Sequence, residues 1–244
     1  MPGASMFCPG RMMGLTAAAA AATDRAMAAK VKICGLKTRE VLDAALEAGA
    51  DYVGLVVYPP SPRHIEAEAA APLAACARGR AAIVALLVDP DNALVRRVAE
   101  QIAPDIIQLH GSETPARAAT IGALARARIM KAIKVETAGD AAAAFAFAGA
   151  ADMILFDAKA PNDLAGALPG GNGLTFDWHV LEGVRGKLDY MLSGGLTPDN
   201  VATAIRLTGA AAVDVSSGVE SRPGVKDPGL IRRFIAAAKS SAAA

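Results

Sequence analysis

The sequence predicts a (β/α)8 TIM barrel in a single domain, on three observations. From Val31 onward, short β-branched runs alternate with runs of helical period. The β-branched runs are apolar on both faces, which is how buried parallel strands read. The chain is 244 residues long, and barrels of this kind run to about 250.

In chain order the predicted strands are Val31–Cys34, Tyr52–Tyr58, Ala82–Val88, Ile106–Leu109, Ile129–Val135, Met153–Phe156, Tyr190–Leu192 and Ala212–Val215. Amphipathic segments separate them. In Arg39–Ala48, for example, Val41, Leu42, Ala45 and Leu46 form one apolar stripe. Thr114-Pro115, Thr197-Pro198 and Asp227-Pro228 each put an N-cap residue before a Pro at the first helical position. Gly49 and Gly209 sit where helices should stop, because Gly adopts the left-handed turn that ends a helix. Eight strands and about eight helices in about 210 residues fit the barrel. The rival, an open doubly wound sheet, would place GxGxxG after the first strand. That motif is missing there, and the Gly-rich turns come late.

The barrel is thus predicted over 31–240. Residues 1–30 read as an N-terminal extension, poorly ordered or helical. Its stretch at 12–22, MMGLTAAAAAA, faintly imitates a secretion signal but is mostly weakly hydrophobic Ala, and Met27 offers a natural start.

Composition excludes several classes. Lys+Arg total 25 against 24 Asp+Glu, a net charge of +1, which argues against a nucleic-acid binder built on a basic face. Apolar residues make up 53%, which excludes global disorder; aromatics are only 4%, so the core must be aliphatic. Cys8, Cys34 and Cys76 form neither a disulfide framework nor a CxxC pair, which points to the reducing cytoplasm. No run of about 18 strongly apolar residues suggests a membrane span. His64, His110 and His179 lack ligand spacing, so no catalytic metal is expected.

Barrel chemistry sits at the C-terminal ends of the strands. There the sequence offers Cys34-Gly35, Pro59 to Arg63, Asp89, Gln108 with His110, Lys134, Asp157, Ser193-Gly194-Gly195 and Ser216-Ser217-Gly218, in strand order. The two Gly-containing turns follow the seventh and eighth strands, where barrels cradle phosphate; Gly lets backbone amides approach an anion. The bland alternative is a pair of ordinary tight turns. Cys34, with Lys32 two positions back, is either an activated thiol or a small buried hydrophobe. Asp157 is either a proton donor or acceptor, or a cap or partner of Lys159. Arg63 suits a two-point grip on a carboxylate, or is a solvated loop charge. His110 orients a substrate or packs in the strand end.

These segments also carry a family likeness. VKICGLKTRE (31–40), GADYVGLVVYPPSPRHI (49–65), DIIQLHGSE (105–113), ILFDAK (154–159), GGNGLTFDW (170–178), LSGGLTPDNV (192–201) and VDVSSGVESRPGVKD (213–227) together resemble the phosphoribosylanthranilate isomerases over about Val31 to Lys239. The resemblance implies an isomerase that converts N-(5-phospho-β-D-ribosyl)anthranilate to 1-(2-carboxyphenylamino)-1-deoxy-D-ribulose 5-phosphate by an Amadori rearrangement, in L-tryptophan biosynthesis. It implies Cys34 as general base, Asp157 as general acid and Arg63 on the anthranilate carboxylate. Ser193, Gly194, Gly195, Ser216, Ser217 and Gly218 would hold the phosphate. Asp214 would orient the sugar, and Gln108 and His110 would line the mouth. No cofactor is implied. The expected partner is a small phosphorylated substrate, and the expected state is a monomer or homodimer.

Two departures stand out. Ala158 replaces the family's usual Ser or Thr after the acid, and the first 30 residues have no counterpart. Among rival enzymes, an indole-3-glycerol-phosphate synthase would be expected to pair Lys134 with a glutamate that is not evident. A metal epimerase would need clustered His and Asp. A catalytically dead phosphate-binding barrel would not need both Cys34 and Asp157, and a purely structural subunit leaves no mark in the sequence.

Overall fold

Eight short parallel strands close on themselves: β1 (Lys30–Cys34), β2 (Tyr52–Val56), β3 (Ala82–Leu87), β4 (Ile106–Leu109), β5 (Arg128–Val135), β6 (Met153–Ala158), β7 (Tyr190–Leu192) and β8 (Ala212–Val215). Closure is made by β8 pairing with β1, Lys30 opposite Ala212 through Ile33 opposite Val215. The computed structural model describes residues 28–159, 170 and 173–240. Of the extension predicted over 1–30, residues 1–27 lie outside the described residues. Its boundary moves: Lys30 already opens β1 and donates its amide to Ala211 O.

Helices wrap the barrel as α1 (Arg39–Glu47), α2 (Ala67–Ala77), α3 (Asn92–Gln101), α4 (Pro115–Ala125), α5 (Ala138–Ala142), α6 (Val201–Thr208) and α7 (Pro228–Ser240). The stripe in α1 is buried as predicted, joined by Ala44. Thr114 caps α4 through Arg117 N with Pro115 in its first turn, and Asp227 accepts from Leu230 N at the start of α7. Gly209 ends α6 at φ +68.

Three expectations need correcting. Thr197-Pro198 does not start a helix. Thr197 N donates to Asn200 Oδ1 and Asp199 N to the Thr197 hydroxyl, making a turn, and α6 begins only at Val201. Of the about eight helices expected, the described residues hold seven: between β6 and β7 they offer only a 3-10 turn, Trp178–Leu181, and α5 is five residues followed by another such turn, Ala143–Phe147. Asp157 does not follow the sixth strand but belongs to it. The long β5 offers partners beyond Phe156, so Lys134 pairs with Asp157 and Val135 with Ala158.

The strand alternation sorts side chains into two cores. Outward residues such as Val31, Ile33, Val53, Leu55, Ile83, Leu87 and Phe156 pack against the helices. Inward ones fill the barrel floor: Tyr52, Val84, Ile106, Met130, Leu155, Met191 and Ala212 form one closed apolar layer. At the floor, the Asp that precedes each of β2, β4 and β6 takes the amide of the strand before it. Asp51 accepts from Val31 N, Asp105 from Ile83 N and Asp152 from Ile129 N, at 2.7 to 2.9 Å. These bonds tie strand ends at the face remote from the mouth, so they belong to stability rather than chemistry.

Candidate active site

Above the apolar floor the barrel interior turns polar. Lys32, inward on β1 and wholly buried, pairs with Asp214 of β8 at 2.9 Å. The second Asp214 oxygen accepts from the Ser193 hydroxyl at 3.2 Å. Two residues further along β1, on the same face, Cys34 reaches the mouth. Its register partner on β2 is Gly54, and a Cβ there would stand 3.1 Å from the Cys34 sulfur. Gly54 therefore makes room for the thiol. Burial pushes the Cys34 thiol above its ordinary value and Asp214 adds to this, while Lys32 and Lys226 pull the other way. Asp214 and the thiolate hold the Lys32 ammonium charged against the cost of burial.

Asp157 enters from β6, separated from β1 on the short way round the ring by β7 and β8. Its Oδ1 accepts from Ala158 N at 3.0 Å, and its Oδ2 lies 3.2 Å from His110 Nε2. The alternative that pairs it with Lys159 is not realised, because Lys159 bonds Glu136 at 3.1 Å. Gly170 lies against both Asp157 and His110, leaving no space for a side chain. Gln108 approaches the other ring nitrogen of His110 at 3.4 Å. Gln108 Oε1 and His110 Nε2 are buried without a well-directed hydrogen bond among the described residues.

These groups line one cavity at the C-terminal mouth, where barrel enzymes keep their chemistry. Cys34, Arg63, Gln108, His110, Asp157 and Asp214 all face it, as do Ser193, Gly194, Gly195, Ser216 and Ser217. Gly218 does not: it packs against the Leu196 carbonyl and so holds the two Gly loops together. Asp89 is exposed and caps the next loop through Ser112 N, and Lys134 is exposed and lies off the cavity. Gly194 and Gly195 have φ of +88 and +60. A side chain at Gly194 would collide with Ala158 N at 2.6 Å, and one at Gly195 with Leu174 at 2.7 Å. Backbone, not side chain, therefore faces the cavity there.

Sequence reasoning missed several contributors. Gly54 carried no turn signal. Glu220 and Lys226 belong to a short hairpin after β8, β9 (Glu220–Arg222) with β10 (Val225–Lys226), whose one local sign was Pro223-Gly224. Glu113 and Lys131 form a buried pair at 2.7 Å behind the His110 loop, with Lys131 also on Gly111 O. That pair faces the helices, outside the cavity.

A closed barrel whose mouth gathers a thiol, a carboxyl, an imidazole and a buried guanidinium around one pocket belongs to the class of (β/α)8 enzymes. The family model for N-(5'-phosphoribosyl)anthranilate isomerase matches residues 31–237. The chain belongs to that family, and is an isomerase. It is 54% identical over 211 residues to the N-(5'-phosphoribosyl)anthranilate isomerase of Rhodopseudomonas palustris (strain BisA53), covering 86% of this chain and 96% of that one. Among solved structures, the phosphoribosyl anthranilate isomerase of Thermotoga maritima superposes with a TM-score of 0.78 at 35% identity, covering 87% of this chain and 99% of that one. A phosphoribosyl anthranilate isomerase in complex with reduced 1-(o-carboxyphenylamino)-1-deoxyribulose 5-phosphate superposes with 0.76 at 33% identity, over the same shares.

Proposed function

We propose that this isomerase converts N-(5-phospho-β-D-ribosyl)anthranilate to 1-(2-carboxyphenylamino)-1-deoxy-D-ribulose 5-phosphate in L-tryptophan biosynthesis, with Asp157 as acid and Cys34 as base. The observation that carries this reading is the arrival of Cys34 and Asp157, from strands well apart in sequence, at one cavity that also holds Arg63 and the two Gly loops.

The protonated Asp157 gives its proton to the furanose ring oxygen. The bond from that oxygen to C1 breaks, and the nitrogen lone pair closes a C1–N double bond. The Cys34 thiolate takes the proton from C2, and the electrons left behind form a C1–C2 double bond as the nitrogen regains its pair. The enolamine then tautomerises: the C2 hydroxyl loses a proton, C1 gains one, and a ketone results. No redox partner enters the balance. Arg63 grips the anthranilate carboxylate with two parallel hydrogen bonds. Ser193, Gly194, Gly195, Ser216 and Ser217 hold the phosphate, with Gly218 fixing the spacing of their loops. Gln108 Oε1 and His110 Nε2 suit sugar hydroxyls, which would satisfy two otherwise orphaned buried atoms. Asp214 orients the sugar from beside Ser193. Anchoring both charged ends lets binding energy orient the reacting carbon.

The partner is this small phosphorylated substrate, with no nucleic acid or membrane, and the working unit is a monomer or homodimer in the cytoplasm. Among the described residues no helix is long and apolar enough to cross a membrane.

The test is fluorimetric, because anthranilate emission falls as substrate is consumed. Asp157→Asn and Cys34→Ala should each lower kcat by about 10²–10⁴-fold with KM little changed. Near-normal turnover in Asp157→Asn would remove the acid assignment.

A further inference from the structure

Arg63 does not reach the cavity from an unsupported loop. Its Nε donates to Glu220 Oε1 at 2.8 Å and its Nη2 to Glu220 Oε2 at 2.9 Å, a parallel two-point grip. Lys226, across the β9–β10 hairpin, donates to the same Glu220 Oε1 at 2.6 Å. Lys226 also donates to Ser216 O at 2.9 Å and to Ser216 Oγ at 3.1 Å. The Ser216 hydroxyl directs its own proton at Cys34 O, so all three Lys226 contacts need a donated hydrogen, and only an ammonium has three. The side chains of Arg63, Glu220 and Lys226 are 7%, 4% and 1% exposed.

Two buried cations thus share one buried anion. Arg63 also faces the cavity, so a substrate anion at this end of the pocket meets a guanidinium already held in place. Neither Glu220 nor Lys226 lines the cavity; they act through Arg63 and Ser216. The hairpin also presses Gly224, at φ +78, onto the Pro62 carbonyl, directly before Arg63. The loop is therefore held at both its backbone and its guanidinium. Burial opposes the Glu220 charge, but Arg63 and Lys226 outweigh it and keep the carboxyl below its usual range.

The geometry points to Glu220, fixed by Lys226, as a positioning residue that aims Arg63 and so sets the enzyme's preference for an aminoaldose phosphate whose aryl group carries a carboxylate. This rests on the reading that Arg63 meets that carboxylate. A guanidinium on a long flexible stem loses rotamer freedom when it binds; here the loss has already been taken in the folded protein.

The experiment compares two substrates: the anthranilate compound and its aniline counterpart, which lacks only the carboxylate. Product is followed chromatographically for both. The parent enzyme should prefer the carboxylated substrate in kcat/KM by about 100-fold or more. Glu220→Gln should cut that preference at least tenfold, mainly through a raised KM for the carboxylated substrate, and Glu220→Asp should restore part of it. The preference is a ratio, so it does not depend on the folded fraction. Should Glu220→Gln fail to fold, Glu220→Asp carries the test with a smaller drop. An unchanged preference, or equal losses on both substrates, overturns the positioning role. Arg63→Ala is run alongside. If it retains the preference, the carboxylate reading of Arg63 falls; if it loses the preference while the Glu220 variants keep it, only the role of Glu220 falls.

Discussion

Lys32 Nζ stands 2.9 Å from Asp214 Oδ1 inside the barrel, two residues along β1 from the Cys34 thiol. The pair is shut off from water, with Lys32 at 0% exposure, and lies between the apolar floor and the mouth. A buried lysine and aspartate add no net charge, yet the ammonium end favours a thiolate on the same strand.

The pH dependence follows from this arrangement. The Cys34 thiol is held above its ordinary value, and a base must be deprotonated to act. Below the thiol's pKa the thiolate fraction falls about tenfold for each pH unit. Turnover also needs the Asp157 carboxyl protonated, so the rate does not report the thiol alone. The thiolate's ultraviolet absorbance, read as the parent enzyme minus Cys34→Ala, should climb only at a pH above that of an ordinary cysteine thiol. A thiolate signal already complete near neutrality would contradict the upward shift.

Lys32→Met removes the main charge that favours the thiolate and strands the Asp214 carboxylate. The thiolate absorbance should appear at still higher pH, and activity at neutrality should fall. Breaking a buried pair by removing one partner costs about 3–5 kcal/mol, so the melting temperature should fall as well. Thermal melts and thiolate titrations on one preparation separate the two effects.

Gly54→Ala tests the space beside the thiol. The added methyl would meet the Cys34 sulfur at 3.1 Å and its Cα at 3.0 Å, and the latter is backbone that cannot swing away. Overpacking of this kind costs about 1–3 kcal/mol. We expect a loss of kcat of about tenfold or more, read by fluorescence, from a protein that remains folded by circular dichroism.

Asp105→Ala tests the opposite face. The lost bond to Ile83 N is partly solvated, so the cost should be about 1 kcal/mol. For a chain of this size that is about 2–4 °C in Tm. Because the floor lies away from the mouth, kcat should not change, and a large drop in kcat would show that the floor and the site are coupled.

The barrel was legible because its determinants are local. Apolar runs such as Ile106–Leu109, Tyr190–Leu192 and Ala212–Val215 match the observed strands end to end. Thr114-Pro115 and Gly209 mark a helix start and a helix stop through backbone chemistry that neighbours along the chain cannot easily override. Candidate site residues were legible because barrel topology sends every strand end to one mouth. Where the signal was weaker, tertiary contacts won. The β5–β6 ladder drew Asp157 into the strand, and the Asn200 side chain turned Thr197-Pro198 into a turn.

The chain by itself thus determined which residues alternate into strands and helices, and which chemically able side chains end each strand, since both depend on spacing of a few residues. Only the tertiary structure decided which charges meet: Lys32 with Asp214, 182 residues apart, and Arg63 with Glu220, 157 residues apart. Such pairings have no periodicity to betray them. They exist because closing the ring brings β8 and its hairpin back beside β1 and the loop after β2, where burial compels each charge to find a partner.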